Sequence, residues 1–116
     1  MSRDVRLYLE DMLEACRRAT EYVQALSFEQ YLADRRTRDA VARNLEILGE
    51  AAKQVPAEWR AKMPAIDWRE ACAFRDVLAH GYFGLDERIL WDVVRLRAPT
   101  IIAELERFLA QGGASG

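Results

Sequence analysis

The spacing of apolar residues is the feature that most restricts the fold of this chain. The first apolar stripe recurs at steps of three and four residues and consists of Val5, Tyr8, Leu9, Met12, Cys16, Ala19, Val23 and Leu26. Steps of this length put side chains on one face of an α-helix. The stripe therefore predicts an amphipathic helix from about residue 3 to residue 26.

Three further main helices follow from the same reasoning. The second has the stripe Val41, Leu45, Leu48, Ala52 and Val55, and it should end before Pro56. Gly49 lies inside this helix, where glycine costs about 1 kcal/mol against alanine, so we expect a neighbouring backbone to approach closely there. The third helix is predicted from about Asp67, as N-cap, to Ala79, and the fourth begins after Asp86 and is kinked at Pro99.

Shorter signals complete the predicted architecture. Ser27 and Gln30 have the spacing of a capping box, and Pro56 to Met63 should form a short helical turn. Strand-like alternation and repeats are missing from the sequence. We predict an all-α fold: an up-down bundle of four main helices with an additional short helical turn and a kinked last helix, in a single domain over residues 1–111. Residues 112–116 should be a disordered tail.

Length and composition narrow the class of protein. A chain of 116 residues suits one domain with a buried core. No apolar run approaches the ~18 residues of a membrane span, and the N-terminus lacks the apolar stretch of a signal peptide, so we expect a cytoplasmic protein without membrane contact. The net charge of -2 argues against a protein that coats nucleic acid through a basic surface. Any contact with nucleic acid has to be local.

The two cysteines do not suggest a metal site. Cys16 and Cys72 have no metal-ligand spacing with each other or with His80, and both have apolar neighbours in the sequence. These features predict reduced thiols in the core. We expect neither a metal ion nor a cofactor.

The segment around the only histidine is the main candidate for chemistry. It contains Arg75, Asp76, His80 and Tyr82. Histidine exchanges protons near neutral pH and arginine stays charged, a combination that suits proton transfer at a phosphate. Asp76 and His80 are four residues apart and share a helix face, so the carboxylate could orient the imidazole.

The same residues also fit a purely structural role, which spacing alone favours. A histidine in the last turn of a helix interacts favourably with the helix dipole, and Tyr82 could cover the core. The basic group Arg35, Arg36, Arg38 and Arg43 is more typical of a solvated face than of a phosphate track. Trp59, Trp68 and Trp91 are expected in the core or an interface, and Glu50 is a weak candidate for the site.

Taken together, these residues resemble a known signature, that of HepT-like toxins in the HEPN superfamily. It reads here as Arg75-x4-His80-x-Tyr82, preceded by Trp68 and Phe74 and followed by Phe83-Gly84. The stretch from residue 44 to residue 52 resembles the second helix of the same family. With the helix pattern, the resemblance covers nearly the whole chain.

The resemblance implies a fold, an activity and partners. The fold is a four-helix HEPN fold, usually a homodimer, and the activity is that of a metal-independent ribonuclease toxin acting on RNA. Arg75 and His80 would be the catalytic pair. The toxin is encoded beside a minimal, MntA-like nucleotidyltransferase antitoxin, which silences it by transferring AMP to Tyr82.

One histidine per chain cannot easily serve as both the base and the acid of RNA cleavage. We therefore expect a composite site in which a twofold axis brings two copies of His80 and Arg75 together. Two alternatives stay open. The chain could be a noncatalytic HEPN subunit that binds a nucleotidyltransferase or its nucleotide, or a structural bundle in which His80 is only a helix cap.

Overall fold

A computed structural model describes residues 3–79 and 86–112, and all regular secondary structure in these two ranges is helical. The helices are α1 (Val5–Val23), α2 (Phe28–Ala33), α3 (Arg35–Lys53), α4 (Ala57–Arg60), α5 (Trp68–Ala79), α6 (Glu87–Asp92) and α7 (Ala98–Ala110). A π-helical segment, Val93–Arg97, joins α6 to α7. The prediction of an all-α fold is confirmed.

Helix α3 lies at the centre of the packing. It contacts α1 and α5, and α1 also packs against α7. The buried positions of the predicted stripes face one common core, which includes Leu9 and Met12 of α1, Leu45 and Leu48 of α3, and Leu105 of α7. Burial of a leucine side chain contributes about 1.5–3 kcal/mol, so the apolar stripes hold the helices together.

Residues 28–53 form two helices, each with its own N-cap, where the sequence pattern did not predict a division. The predicted capping box is present, since Gln30 N donates to Ser27 Oγ at 3.1 Å and Ser27 N donates to Gln30 Oε1 at 2.9 Å. It begins the short helix α2. Asp34 then ends α2 and caps α3 by accepting from Thr37 N at 3.1 Å, so α2 and α3 are separate helices. The hydrogen bonds from Thr37 also hold the pKa of Asp34 below its ordinary value.

The segment between α3 and α5 follows the sequence prediction. Helix α4 lies within the predicted turn, and Asp67 caps α5 by accepting from Glu70 N at 3.0 Å. Glu104 of α7 is buried and accepts from Ala65 N at 3.1 Å and from Arg107 Nε at 2.7 Å. The hydrogen bond from Arg107 is the main reason that the pKa of Glu104 is lowered. This carboxylate ties the segment just before α5 to α7.

The predicted irregularity at Pro99 takes the form of the π-helical segment just before it. Pro99 has no N–H to donate to the carbonyl four residues earlier, and its ring crowds that carbonyl. The backbone instead widens, and Ala98 N donates to the carbonyl of Val93, five residues earlier. Helix α6, the π-helical segment and α7 follow one another directly, where the sequence predicted one kinked helix.

Gly49 is a point of close approach between α3 and α5. A Cβ atom at this position would lie 2.5 Å from Arg75 N and 2.9 Å from the carbonyl oxygen of Ala71. Both contacts are with backbone, so neither can be relieved by turning a side chain. The predicted close approach at Gly49 is confirmed, and the neighbour is the helix that carries Arg75.

The predicted tail lies outside the described residues from residue 113 onward. The limits of the domain, 1–111, stay a prediction. Among the described helices, none combines the length and the apolar character needed to cross a membrane.

Gly49→Ala should lower the free energy of unfolding by about 1–3 kcal/mol, the usual cost of overpacking, because the added methyl meets the α5 backbone. Helix propensity alone predicts the opposite, an increase of about 1 kcal/mol in the free energy of unfolding. Urea unfolding followed by circular dichroism measures the change. The control is Ala73→Gly at an exposed position of α5, which measures the effect of glycine against alanine on stability where no neighbouring helix interferes. A Gly49→Ala variant more stable than wild type would contradict the packing argument.

Candidate functional site

An open cleft of about 780 Å³ lies where α1, α3 and α5 meet. Its walls carry Arg75 and Asp76 from α5, together with Arg3, Tyr8, Asp11, Ile47, Glu50, Ala51, Lys53 and Gln54. Two of the four residues singled out in the sequence therefore lie at one cleft. His80 and Tyr82 lie outside the described residues, so their predicted positions are not tested.

Arg75 is held beside Glu50 by the packing of α3 on α5. Because Gly49 touches the backbone of Arg75, the next residue of α3 comes close to the guanidinium. Arg75 Nε lies 3.7 Å from Glu50 Oε1, and the Arg75 side chain is 38% exposed. This distance suits an ion pair but exceeds the range of a hydrogen bond. The Arg75 guanidinium is thus held only loosely by the Glu50 carboxylate, and it can turn to donate hydrogen bonds to a bound anion.

Asp76 forms a second ion pair with α3. Lys53 Nζ donates to Asp76 Oδ1 at 2.6 Å, and the Asp76 side chain is 60% exposed. Sequence reasoning did not identify Lys53. The sequence does contain a signal for this pairing: Glu50 and Lys53 on α3 carry charges opposite to those of Arg75 and Asp76 on α5.

A third cation and carboxylate complete the cleft from α1. Arg3 Nη1 donates to Asp11 Oδ2 at 2.6 Å, and the guanidinium lies 4.8 Å from the centre of the Tyr8 ring. The hydrogen bond to Asp11 is the main cause of a raised pKa for Arg3, which is therefore a permanent cation.

The cleft thus holds three cations and three carboxylates arranged as three exposed pairs. Exposed ion pairs contribute about 0–1 kcal/mol each, since water screens them. A phosphate, with several acceptor oxygens, can compete with a carboxylate for a guanidinium or an ammonium group. The geometry is suited to binding an anion by exchange of ion-pair partners.

The arginines near the start of α3 do not belong to this cleft. Arg35, Arg38 and Arg43 line a second groove of about 580 Å³, which reaches Leu78 near the end of the described part of α5. Arg36 is exposed and is not part of the groove wall.

The cysteines and tryptophans have the structural roles that the sequence predicted. Cys16 is buried, which raises the pKa of its thiol to about 12, and Cys72 is a free, half-buried thiol. Trp91 is buried, and Trp59 and Trp68 pack against the core. Within residues 3–79 and 86–112, no three side chains of His, Cys, Asp or Glu are grouped so that they could hold a metal ion.

Comparison with known proteins identifies relatives of this chain. The family described as Ribonuclease HepT-like matches residues 12–108 of this chain. A relative from Thermococcus cleftensis, named "Probable ribonuclease HepT", is 41% identical over 92% of this chain and 97% of its own length. A candidate RNase of Caldanaerobacter subterraneus is 38% identical over 90% of this chain and 93% of its own length.

A further candidate RNase, from Methanocaldococcus jannaschii, is 36% identical over 92% of this chain and 88% of its own length. No solved structure matches the chain significantly.

Substitutions in the cleft should leave the fold intact. Lys53→Met and Asp76→Asn should each lower the free energy of unfolding by less than about 1 kcal/mol, and their coupling in a double-mutant cycle should be equally small. Leu48→Ala, a buried position on the same helix, should lose about 2–5 kcal/mol and serves as the contrast. Urea unfolding of the five proteins, wild type included, measures these values. A coupling above about 2 kcal/mol would mean that the pair supports the fold.

Proposed function

Because the chain belongs to the Ribonuclease HepT-like family, as its sequence signature predicted, we propose that it is a metal-independent endoribonuclease toxin. The names of its relatives support RNA as the substrate. The single observation that carries the proposal is the position of Arg75. It lies in an open cleft with two other cations, its ion pair with Glu50 is loose, and the only histidine follows five residues later.

Arg75 and His80 are the proposed catalytic pair. A base removes the proton of the RNA 2'-hydroxyl, the resulting oxygen attacks the adjacent phosphorus, and an acid protonates the departing 5'-oxygen. The products are a 2',3'-cyclic phosphate and a 5'-hydroxyl. Arg75 stabilises the negative charge that accumulates on the phosphorane, for which its planar donors are well suited.

The base and the acid come from two chains in this proposal. A single imidazole cannot be deprotonated and protonated in the same step, and each chain has one histidine. A homodimer with α5 near its twofold axis would supply two imidazoles and two guanidiniums to one cleft. A site shared in this way would be inactive in the separated chains.

Charged residues of the cleft act as positioning residues for the catalytic pair. Glu50 keeps the Arg75 guanidinium near the cleft in the absence of substrate. Asp76 orients His80, and Lys53, which donates to Asp76 at 2.6 Å, limits the rotation of that carboxylate. Asp76→Asn would then lower the activity without unfolding the protein.

Regulation would act through Tyr82 and a nucleotidyltransferase antitoxin. The phenol oxygen attacks the α-phosphate of ATP, forms a phosphodiester with AMP and releases pyrophosphate. The added phosphate carries negative charge and bulk two residues from His80, so it would repel the RNA backbone.

His80→Ala and Arg75→Ala should each lower the rate of RNA cleavage by about 10²–10⁴-fold, the usual contribution of acid–base or charge-stabilising groups. Cleavage by the wild type should continue in EDTA and leave 2',3'-cyclic ends. Growth after expression of the chain alone, with total RNA analysed for these ends, is the corresponding test in cells. The matched control is Arg69→Ala, an exposed arginine elsewhere on α5.

Loss of cleavage on chelation would refute the metal-independent mechanism. Equal growth with wild type and His80→Ala, when both are folded and free of AMP, would favour the noncatalytic subunit that binds a nucleotidyltransferase.

Tyr82→Phe should keep most of the cleavage activity but escape silencing, because the ring remains and the acceptor oxygen is lost. Expression with the proposed cognate nucleotidyltransferase should add one AMP to the wild type, seen by intact mass spectrometry, and none to Tyr82→Phe. If Tyr82→Phe abolished cleavage as completely as His80→Ala, the tyrosine would be a catalytic residue.

A further inference from the structure

The groove along the first half of α3 has the chemistry of a site for a phosphodiester backbone. Its α3 wall runs from Arg35 to Glu46, which is about 16 Å of helix at 1.5 Å per residue. Arg35, Arg38 and Arg43 share this wall, and the volume is about 580 Å³. The groove is therefore long enough for more than one phosphate group.

The three arginines have unused capacity to donate hydrogen bonds. Arg35 is exposed, and no ion pair of Arg35 occurs within the described ranges. Arg43 is 60% exposed and has Glu46 at 3.4 Å as its partner, an exposed pair of the kind that contributes little.

Arg38 is the most constrained of the three. It lies 3.6 Å from Glu87, whose carboxylate also accepts from the buried Tyr31 hydroxyl at 2.6 Å. Its Nε is buried and has no hydrogen-bond partner among the described residues. Arg38 thus shares its carboxylate with a second donor and is only partly neutralised.

The remaining walls fit a nucleic-acid strand. Asp39 and Glu46 add two carboxylates, so the lining is net positive by one charge. Ala42 and Leu78 are both buried and form an apolar floor. Single-stranded RNA presents alternating phosphates and flat bases, which match a groove lined by both guanidinium groups and apolar side chains.

The position of the groove relates it to the proposed catalytic pair. Leu78 lies three residues after Arg75 on α5, so the groove reaches the end of the helix that carries Arg75. We infer that this groove binds the backbone of single-stranded RNA that extends beyond the cleavage point. The inference rests on the proposed function for its ligand, and it assigns to the α3 arginines the binding of substrate without a part in the chemistry.

The test is the salt dependence of binding to an uncleavable RNA. A fluorescent 2'-O-methyl oligonucleotide is titrated with wild type, with Arg35→Gln/Arg43→Gln, and with Arg17→Gln/Arg18→Gln. The last variant removes the same charge from exposed positions of α1. Thermal unfolding by circular dichroism confirms that all three proteins are folded.

The variant Arg35→Gln/Arg43→Gln should bind the oligonucleotide about 10-fold more weakly than wild type. Its plot of log binding constant against log salt concentration should be less steep by about 1.4, because each of the two lost phosphate contacts with a single strand contributes about 0.7 to the steepness. The α1 variant should stay within about twofold of wild type with an unchanged slope. Equal weakening in both variants would overturn the inference, because it would mean that only net charge matters. Absence of binding by the wild type at low salt would overturn it as well.

A second variant, expected to bind RNA more tightly, tests the groove with a result that misfolding cannot produce. Glu46→Gln removes a carboxylate that competes with RNA phosphate for Arg43, so it should tighten binding several-fold. Unchanged or weaker binding would contradict the assignment.

Cleavage assays separate this inference from the proposed function. If the wild type cleaves RNA and the groove variant Arg35→Gln/Arg43→Gln has the same kcat/KM, the proposed nuclease activity stands and the groove is not a substrate-binding site. Binding that depends on the groove without any cleavage would support the groove and refute the nuclease.

Discussion

The contact between Gly49 and the backbone of α5 is the constraint on which the candidate site depends. Only a residue without a Cβ allows the two helices to approach so closely, with 2.5 Å between an ideal Cβ and Arg75 N. This contact fixes both the distance and the register of α5 on α3. Glu50 and Lys53 then face Arg75 and Asp76 because they follow Gly49 within one turn of α3.

The electrostatics of the cleft follow from this register. Each cation has a carboxylate beside it, so the cleft has little net charge although it is rich in donors. Such a surface is compatible with the net charge of -2 for the whole chain. Binding of an anion at this cleft depends on the local exchange of partners, and long-range attraction is weak.

The proposed division of labour uses two parts of α3. The C-terminal half lines the cleft with Arg75, and the N-terminal half lines the groove that ends at Leu78. One central helix, packed against both α1 and α5, would thus position the reacting groups and the substrate strand relative to each other. A rigid core helix is a more accurate support for this purpose than a loop.

Several features could be read from the sequence because they depend on neighbours three or four residues apart. The stripe of α1, the capping box at Ser27 and Gln30, and the cap of α5 at Asp67 are all of this kind. The break at Asp34 between α2 and α3 does not follow from the sequence pattern, because polar residues at this point are equally compatible with one longer loop or with two caps. The widened backbone before Pro99 was expected only as a kink, since proline excludes a regular helix without selecting its replacement.

The amino-acid sequence by itself determined the helical class, most helix starts, the family signature around Arg75, and the need for a close neighbour at Gly49. The tertiary structure decided which residues meet. Lys53 pairs with Asp76 across 23 residues, and Tyr31 donates to Glu87 across 56 residues. Local spacing cannot predict such pairs, because they depend on the rotation and register of whole helices, and these are set by the packing of the entire core.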